Sequence, residues 1–259
     1  MSGQELQELT VSRPEDHIAI LTLNRPATRN ALNFSILERM EAAVAALEQE
    51  DDLRVLIITG SGSSFCSGAD LREIREFDPQ RSRQFSLLGH RVFNRVEQFP
   101  TPVVAAINGH ALGGGCELAC ACDLRLASAR ARLGQPEARV GMITGWGATT
   151  RLPRYIGLAR AKEMVFRAEV ISAEEAKQIG LVNAVFDESE FMESVLAYAR
   201  EITRNAPIAN ALSKQMLNRH GAPTAHDESL ALAYTVLSED QTEAIDAFLE
   251  KRDPLFRGR

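Results

Sequence analysis

The stretch PVVAAINGHALGGGCELACACD, Pro102–Asp123, runs from a β-branched apolar segment through a glycine triplet into a short helical pattern. Val103–Ile107 has the composition of a buried strand. Gly113–Gly115 then lead into Cys116–Cys122, which reads as the start of a short helix. Glycines at a helix N-terminus leave unpaired N–H groups facing outward with the helix dipole behind them, a ready site for an anionic oxygen. From Gln98 to Cys116 there is no Asp, Glu, Lys or Arg. Pro100, Pro102, Asn108, Gly109 and His110 interrupt this run, which suits a buried strand and loop better than a membrane span.

Working outward, His17–Leu23 reads as a strand ended by Asn24-Arg25-Pro26. Ser35 and Glu38 predict a capping box for a helix to about Gln49. Leu53–Thr59 is a second strand, followed by the turn-rich Gly60–Ser64, and Arg72–Glu97 reads as loop then helix. Leu124–Ala127 is again strand-like. This alternation argues for a mostly parallel sheet with crossover helices. Beyond about residue 155 the pattern changes. Ser172–Glu175 is a further capping box, Gly180 closes its helix, and Leu181–Phe186 reads as a strand. From Ser189 the chain reads as helices broken near Pro207, Gly221–Pro223 and Pro254. The organisation expected is therefore an α/β core over 1–188 and a helical region over 189–259. The basic Lys251–Arg259 tail reads as a frayed end.

Composition narrows the function classes. The 259 residues are 45% hydrophobic and 25% charged, which excludes a disordered chain and a small disulfide scaffold. A net charge of −6 does not favour nucleic acid as a partner. The start MSGQELQELT lacks the basic-then-apolar pattern of a secretory signal, so a cytoplasmic location is expected. Cys66, Cys116, Cys120 and Cys122 form no CxxC pair and read as small buried thiols rather than metal ligands.

Three segments carry chemistry: FCSGADL (65–71), the glycine triplet with Glu117, and Gly134-Gln135-Pro136-Glu137. Singly, each has an ordinary reading: a turn glycine, a packing glycine, a solvated acid. Their joint order carries more. With LNRP (23–26), NALN (30–33), the run to RLPR (151–154) and SAEEAKQIGLVN (172–183), the chain resembles the crotonase superfamily, the enoyl-CoA hydratase/isomerase family, over nearly its whole length. The resemblance implies a spiral of ββα units, with C-terminal helices that assemble trimers, often paired into hexamers. It also implies an acyl-CoA thioester substrate, coenzyme A being part of that substrate, and no separate cofactor or metal.

By the same resemblance the backbone N–H groups of Ala69 and Gly114 hold the thioester oxygen. Preorganised donors there stabilise the enolate formed when C2 gains or loses a proton. Glu117 and Glu137 match the two acid–base carboxylates, with Glu117 expected to deprotonate water and Glu137 to protonate C2. Thr28, Arg29, Ala31, Ser67, Asp70 and Leu71 are expected along coenzyme A, and Pro136 and Gly145 among the residues that bind the acyl-CoA substrate. Arg25 and Arg29 are candidates for phosphate contacts. Trp146 stands where many hydratases carry a small residue, which leaves it either narrowing the acyl pocket or packing away from it. Isomerisation, decarboxylation or thioester hydrolysis on the same scaffold remain alternatives, as does a non-catalytic CoA- or RNA-binding member. No GxSxG, GxGxxG or GKS/GKT motif supports a serine hydrolase, dinucleotide or P-loop reading.

Overall fold

A computed structural model describes residues 8–219 and 224–259. The chain runs β1 (Leu9–Glu15), β2 (Ile18–Leu23), α1 (Phe34–Leu47), β3 (Val55–Gly60), β4 (Ser64–Cys66), α2 (Leu71–Ile74), α3 (Pro79–Glu97), β5 (Val103–Ile107) and β6 (His110–Leu112). It continues α4 (Gly114–Ala121), β7 (Leu124–Ser128), β8 (Arg132–Gly134), α5 (Ala148–Ile156), α6 (Leu158–Phe166), β9 (Val170–Ser172), α7 (Ala173–Gln178) and β10 (Ala184–Phe186). Four helices follow: α8 (Phe191–Thr203), α9 (Pro207–Leu217), α10 (Ala225–Val236) and α11 (Glu239–Glu250).

The described residues form two sheets. The larger has order β1-β2-β3-β5-β7-β10, and the smaller has order β4-β6-β8-β9. The β1–β2 and β8–β9 pairs are antiparallel and the others parallel. A strand of the large sheet, a short strand of the small sheet and then helix recur three times, at β3-β4, β5-β6 and β7-β8. This is the ββα spiral that the sequence resemblance implies. Strands β2, β3 and β5 are buried on both faces, which is why they read as unbroken apolar runs. One face packs on α1, α3 and α4, and the other on Phe191, Val195 and Ala199 of α8.

Four local expectations differ from the structure. The N-cap of α1 is Asn33, whose side chain accepts from the Ile36 N–H at 2.9 Å, rather than Ser35. Asn caps as well as Ser, and Asn33 is the last extended residue. Strand β1 was not expected, being polar, edge-lying and interrupted by Pro14. Neither were the three-residue strands β4, β6, β8 and β9, which are too short to show a period. Finally, the tail after α11 is tied down. Buried Asp240 accepts from the N–H groups of Arg257 and Gly258 at 2.6 and 2.8 Å, and Arg54 donates to the Phe256 carbonyl at 2.6 Å. The capping box at Ser172 and Glu175 is present. The break expected near Gly221–Pro223 lies outside the described residues. Among the described residues no helix is long and apolar enough to cross a membrane.

Candidate active site

The carboxyl ends of three small-sheet strands carry the chemical residues. Ser67–Asp70 follow β4, Gly113 follows β6, and Gln135–Glu137 follow β8. These loops border one cleft of about 540 Å³, whose lining includes Ser67, Ala69, Leu71, Gly114, Glu117, Pro136, Glu137, Gly145 and Trp146. Thr28, Arg29, Ala31 and Asp70 lie next to it, outside the lining. The Ser67 N–H donates to the Arg29 carbonyl at 3.0 Å, and the Ser67 hydroxyl to the Thr28 carbonyl at 3.3 Å. Asp70 caps α2 and pairs with Arg25 at 3.5 Å. Arg25 also pairs with Glu8 at 3.0 Å and donates to the Ala31 carbonyl at 2.6 Å, so its guanidinium is engaged in holding this loop.

Two residues lining the cleft, Ala69 and Gly114, carry backbone N–H groups without a backbone partner among the described residues. Leu32 forms a parallel bridge with Ala69, in which the Leu32 N–H donates to the Gly68 carbonyl and the Asp70 N–H to the Leu32 carbonyl, both at 2.8 Å. That pairing turns the Ala69 N–H away from Leu32. Gly114 opens α4, so its N–H has no partner within the helix. Neither N–H meets a backbone acceptor among the described residues. Gly68 makes their proximity possible: its φ is +92°, and a Cβ there would stand 2.7 Å from the Leu112 carbonyl oxygen and 3.1 Å from the Gly114 nitrogen.

Glu117, in the first turn of α4, is 1% exposed. Burial pushes its carboxyl above the ordinary carboxylate range, opposed by backbone N–H donors. Its Oε1 accepts from Trp146 N at 2.8 Å and Ala148 N at 2.9 Å. The turn supplying those donors is itself buttressed. The buried Arg151 guanidinium donates to the Trp146 carbonyl at 2.9 Å, to Asn94 Oδ1 at 2.6 Å and to Glu97 at 2.8 Å, and the Ser86 hydroxyl donates to the Gly145 carbonyl at 2.9 Å.

Glu137 opens a short 3-10 turn, Glu137–Val140. Burial, with a smaller contribution from the Glu117 charge, raises its carboxyl to about 7. One oxygen lies against the Gly113 backbone, 2.9 Å from where a Cβ would project. The fully buried Gln135 side chain, oriented with its NH₂ toward the acid, donates to both Glu137 oxygens at 3.0 and 3.2 Å. The sequence assigns Gln135 no role of its own; its place two residues before the acid is the signal that marks it. Ser86 and Gly89 on α3 were missed altogether, since nothing in a solvated helical pattern marks them.

All four cysteines are unpaired and buried, as read from the sequence. Among the described residues no cluster of three His, Cys, Asp or Glu is disposed to hold a metal ion.

The family model for enoyl-CoA hydratase/isomerase matches residues 13–259. The chain belongs to the enoyl-CoA hydratase/isomerase family. Within it, the short-chain-enoyl-CoA hydratase of Clostridium acetobutylicum is 44% identical, the match covering 92% of this chain and 93% of the relative. The crotonyl-CoA hydratase of Syntrophomonas wolfei is 41% identical, covering 96% and 98%. Among solved structures, the enoyl-CoA hydratase of Bacillus anthracis superposes with a TM-score of 0.94 at 38% identity, covering 98% of this chain and 100% of that one. Family membership over the whole fold gives the two-glutamate cleft its chemical context.

Proposed function

We propose that this family member is an enoyl-CoA hydratase, adding water reversibly across the 2,3-double bond of a 2-trans-enoyl-CoA to give the 3-hydroxyacyl-CoA. The observation carrying this reading is that the buried carboxyl of Glu117 and the half-buried carboxyl of Glu137 share one cleft with two backbone N–H groups that meet no backbone acceptor among the described residues. With Oε1 of Glu117 committed to two N–H groups, its second oxygen takes the proton from water. The water oxygen bonds to C3, and the π electrons shift through C2 toward the thioester oxygen. Ala69 N–H and Gly114 N–H hold the resulting enolate. Glu137, protonated at neutral pH more readily than an ordinary glutamic acid, delivers its proton to C2. Dehydration runs the same steps backward. The acid–base pair and the N–H donors account for the chemistry without a separate cofactor. Thr28, Arg29, Ala31 and Asp70, next to the cleft, are assigned in this reading to the coenzyme A portion of the substrate.

The test is the conjugated-thioester absorbance of crotonyl-CoA. Wild type is expected to bleach it, and Glu117→Gln to slow the bleaching at least about a hundredfold. No bleaching by wild type, with free thiol or a shifted double bond appearing instead, would overturn hydration in favour of hydrolysis or isomerisation.

We also propose a homotrimer, or a hexamer of two trimers. Leu232, Leu237, Phe248 and Leu249 on α10, α11 and their junction are 68%, 83%, 83% and 72% exposed. An apolar surface of that extent is covered in a stable protein. Light scattering is expected to give three or six times the monomer mass; a monomer would refute the assembly. The four unpaired thiols fit a reducing, cytoplasmic compartment.

A further inference from the structure

Trp146 is 4% exposed and borders the cleft. Its indole spans the gap between α3 and α4. A Cβ added at Gly89, in the interior of α3, would fall 2.1 Å from the indole Nε1, and one at Gly114 would fall 2.2 Å from Cζ3. No side chain fits at either position while the ring stays. Phe85 and Phe93 meet the ring edge-to-face, with centroids 5.1 and 5.4 Å away. Phe85 also lines the cleft and passes the packing on to Phe34 and Phe77. Glycine inside a helix is disfavoured against alanine. Here it is explained by the ring that it admits.

The ring therefore closes the space immediately beside Gly114, the residue whose N–H is assigned to the thioester oxygen. We propose that Trp146, seated by Gly89, limits the acyl group to short chains, so that this enzyme selects 2-enoyl-CoA thioesters near four carbons against medium- and long-chain ones. The inference rests on the acyl-CoA reading of the cleft.

Trp146 is the only tryptophan in the chain, so the wild-type protein carries its own probe. Butyryl-CoA, which cannot be hydrated, is expected to change the tryptophan emission on titration, whereas coenzyme A alone leaves it unchanged. Decanoyl-CoA is expected to bind at least tenfold more weakly than butyryl-CoA. In hydration, wild type is expected to favour crotonyl-CoA over trans-2-decenoyl-CoA by about a hundredfold in kcat/KM, the scale on which apolar pockets discriminate size. Trp146→Ala, and to a smaller extent Trp146→Phe, lowers crotonyl-CoA turnover and shifts the decenoyl-to-crotonyl ratio upward at least about tenfold. Equal wild-type use of both chain lengths would overturn the proposal, as would a ratio unmoved in a folded variant or an emission blind to butyryl-CoA. Emission that responds to butyryl-CoA without hydration of any substrate would sink the hydratase reading and leave the acyl contact standing.

Discussion

Glu137→Gln is expected to fold, bind coenzyme A thioesters and lose at least about a hundredfold in turnover of crotonyl-CoA. The amide keeps the shape of the side chain but carries no transferable proton to C2. Circular dichroism and binding of a saturated thioester separate this loss from misfolding; near-normal turnover would remove Glu137 from the mechanism. The pH behaviour adds a second signature. Water addition consumes and releases no net proton, so hydration and dehydration must share one pH profile in kcat/KM. Both require the glutamate pair to hold one proton in total. With Glu137 raised to about 7, that profile falls on the alkaline side from about pH 7, and Glu137→Gln abolishes the limb. Stability follows the same proton. A carboxyl whose folded pKa lies above its unfolded value stabilises fully below the unfolded value of 4.5, and that contribution is lost as pH rises through about 7. Glu137→Gln should therefore melt higher than wild type at pH 8, with the difference closing toward pH 5.

Gly114→Pro is expected to lose activity at the thioester oxygen. Proline is accepted at the first position of a helix, so α4 can still form, but the N–H is gone. The added ring atoms also press on Trp146, because even a Cβ at this position falls 2.2 Å from Cζ3. Gly114→Ala supplies that crowding while retaining the donor. The drop from alanine to proline isolates the N–H, and loss of one such donor costs about 3 kcal/mol of barrier, on the order of a hundredfold in kcat. Equal activity in the two variants would remove Gly114 as an enolate donor.

Much of this site was legible because its chemistry sits in contiguous motifs. The glycine triplet had to open a helix, and α4 begins at Gly114. Glu117 and Glu137 were located through the resemblance, as isolated acids have ordinary readings. What sequence could not supply was the set of contacts that crosses elements. Oε1 of Glu117 is held by N–H groups at 146 and 148, and the hydroxyl of Ser86 reaches Gly145 from α3. Trp146 could be flagged as unusual, but its direction depended on Gly89, fifty-seven positions away along the chain by number and adjacent in space. Arg25 read equally as a phosphate contact, and only its pairing with Glu8 and Asp70 assigned it to the loop. The short strands of the small sheet were invisible for a different reason: three residues are too few to alternate.

The seating of the indole against Gly89 bears on how this lineage can change. Positions 89 and 146 do not accept substitutions independently. A side chain at 89 is excluded while tryptophan stands at 146, and it becomes permissible once 146 has become small. The order of mutation is thereby constrained: a descendant that broadens its diet must first give up the indole, and a later residue at 89 would then bar the way back. A pair that fits only together becomes a ratchet on specificity.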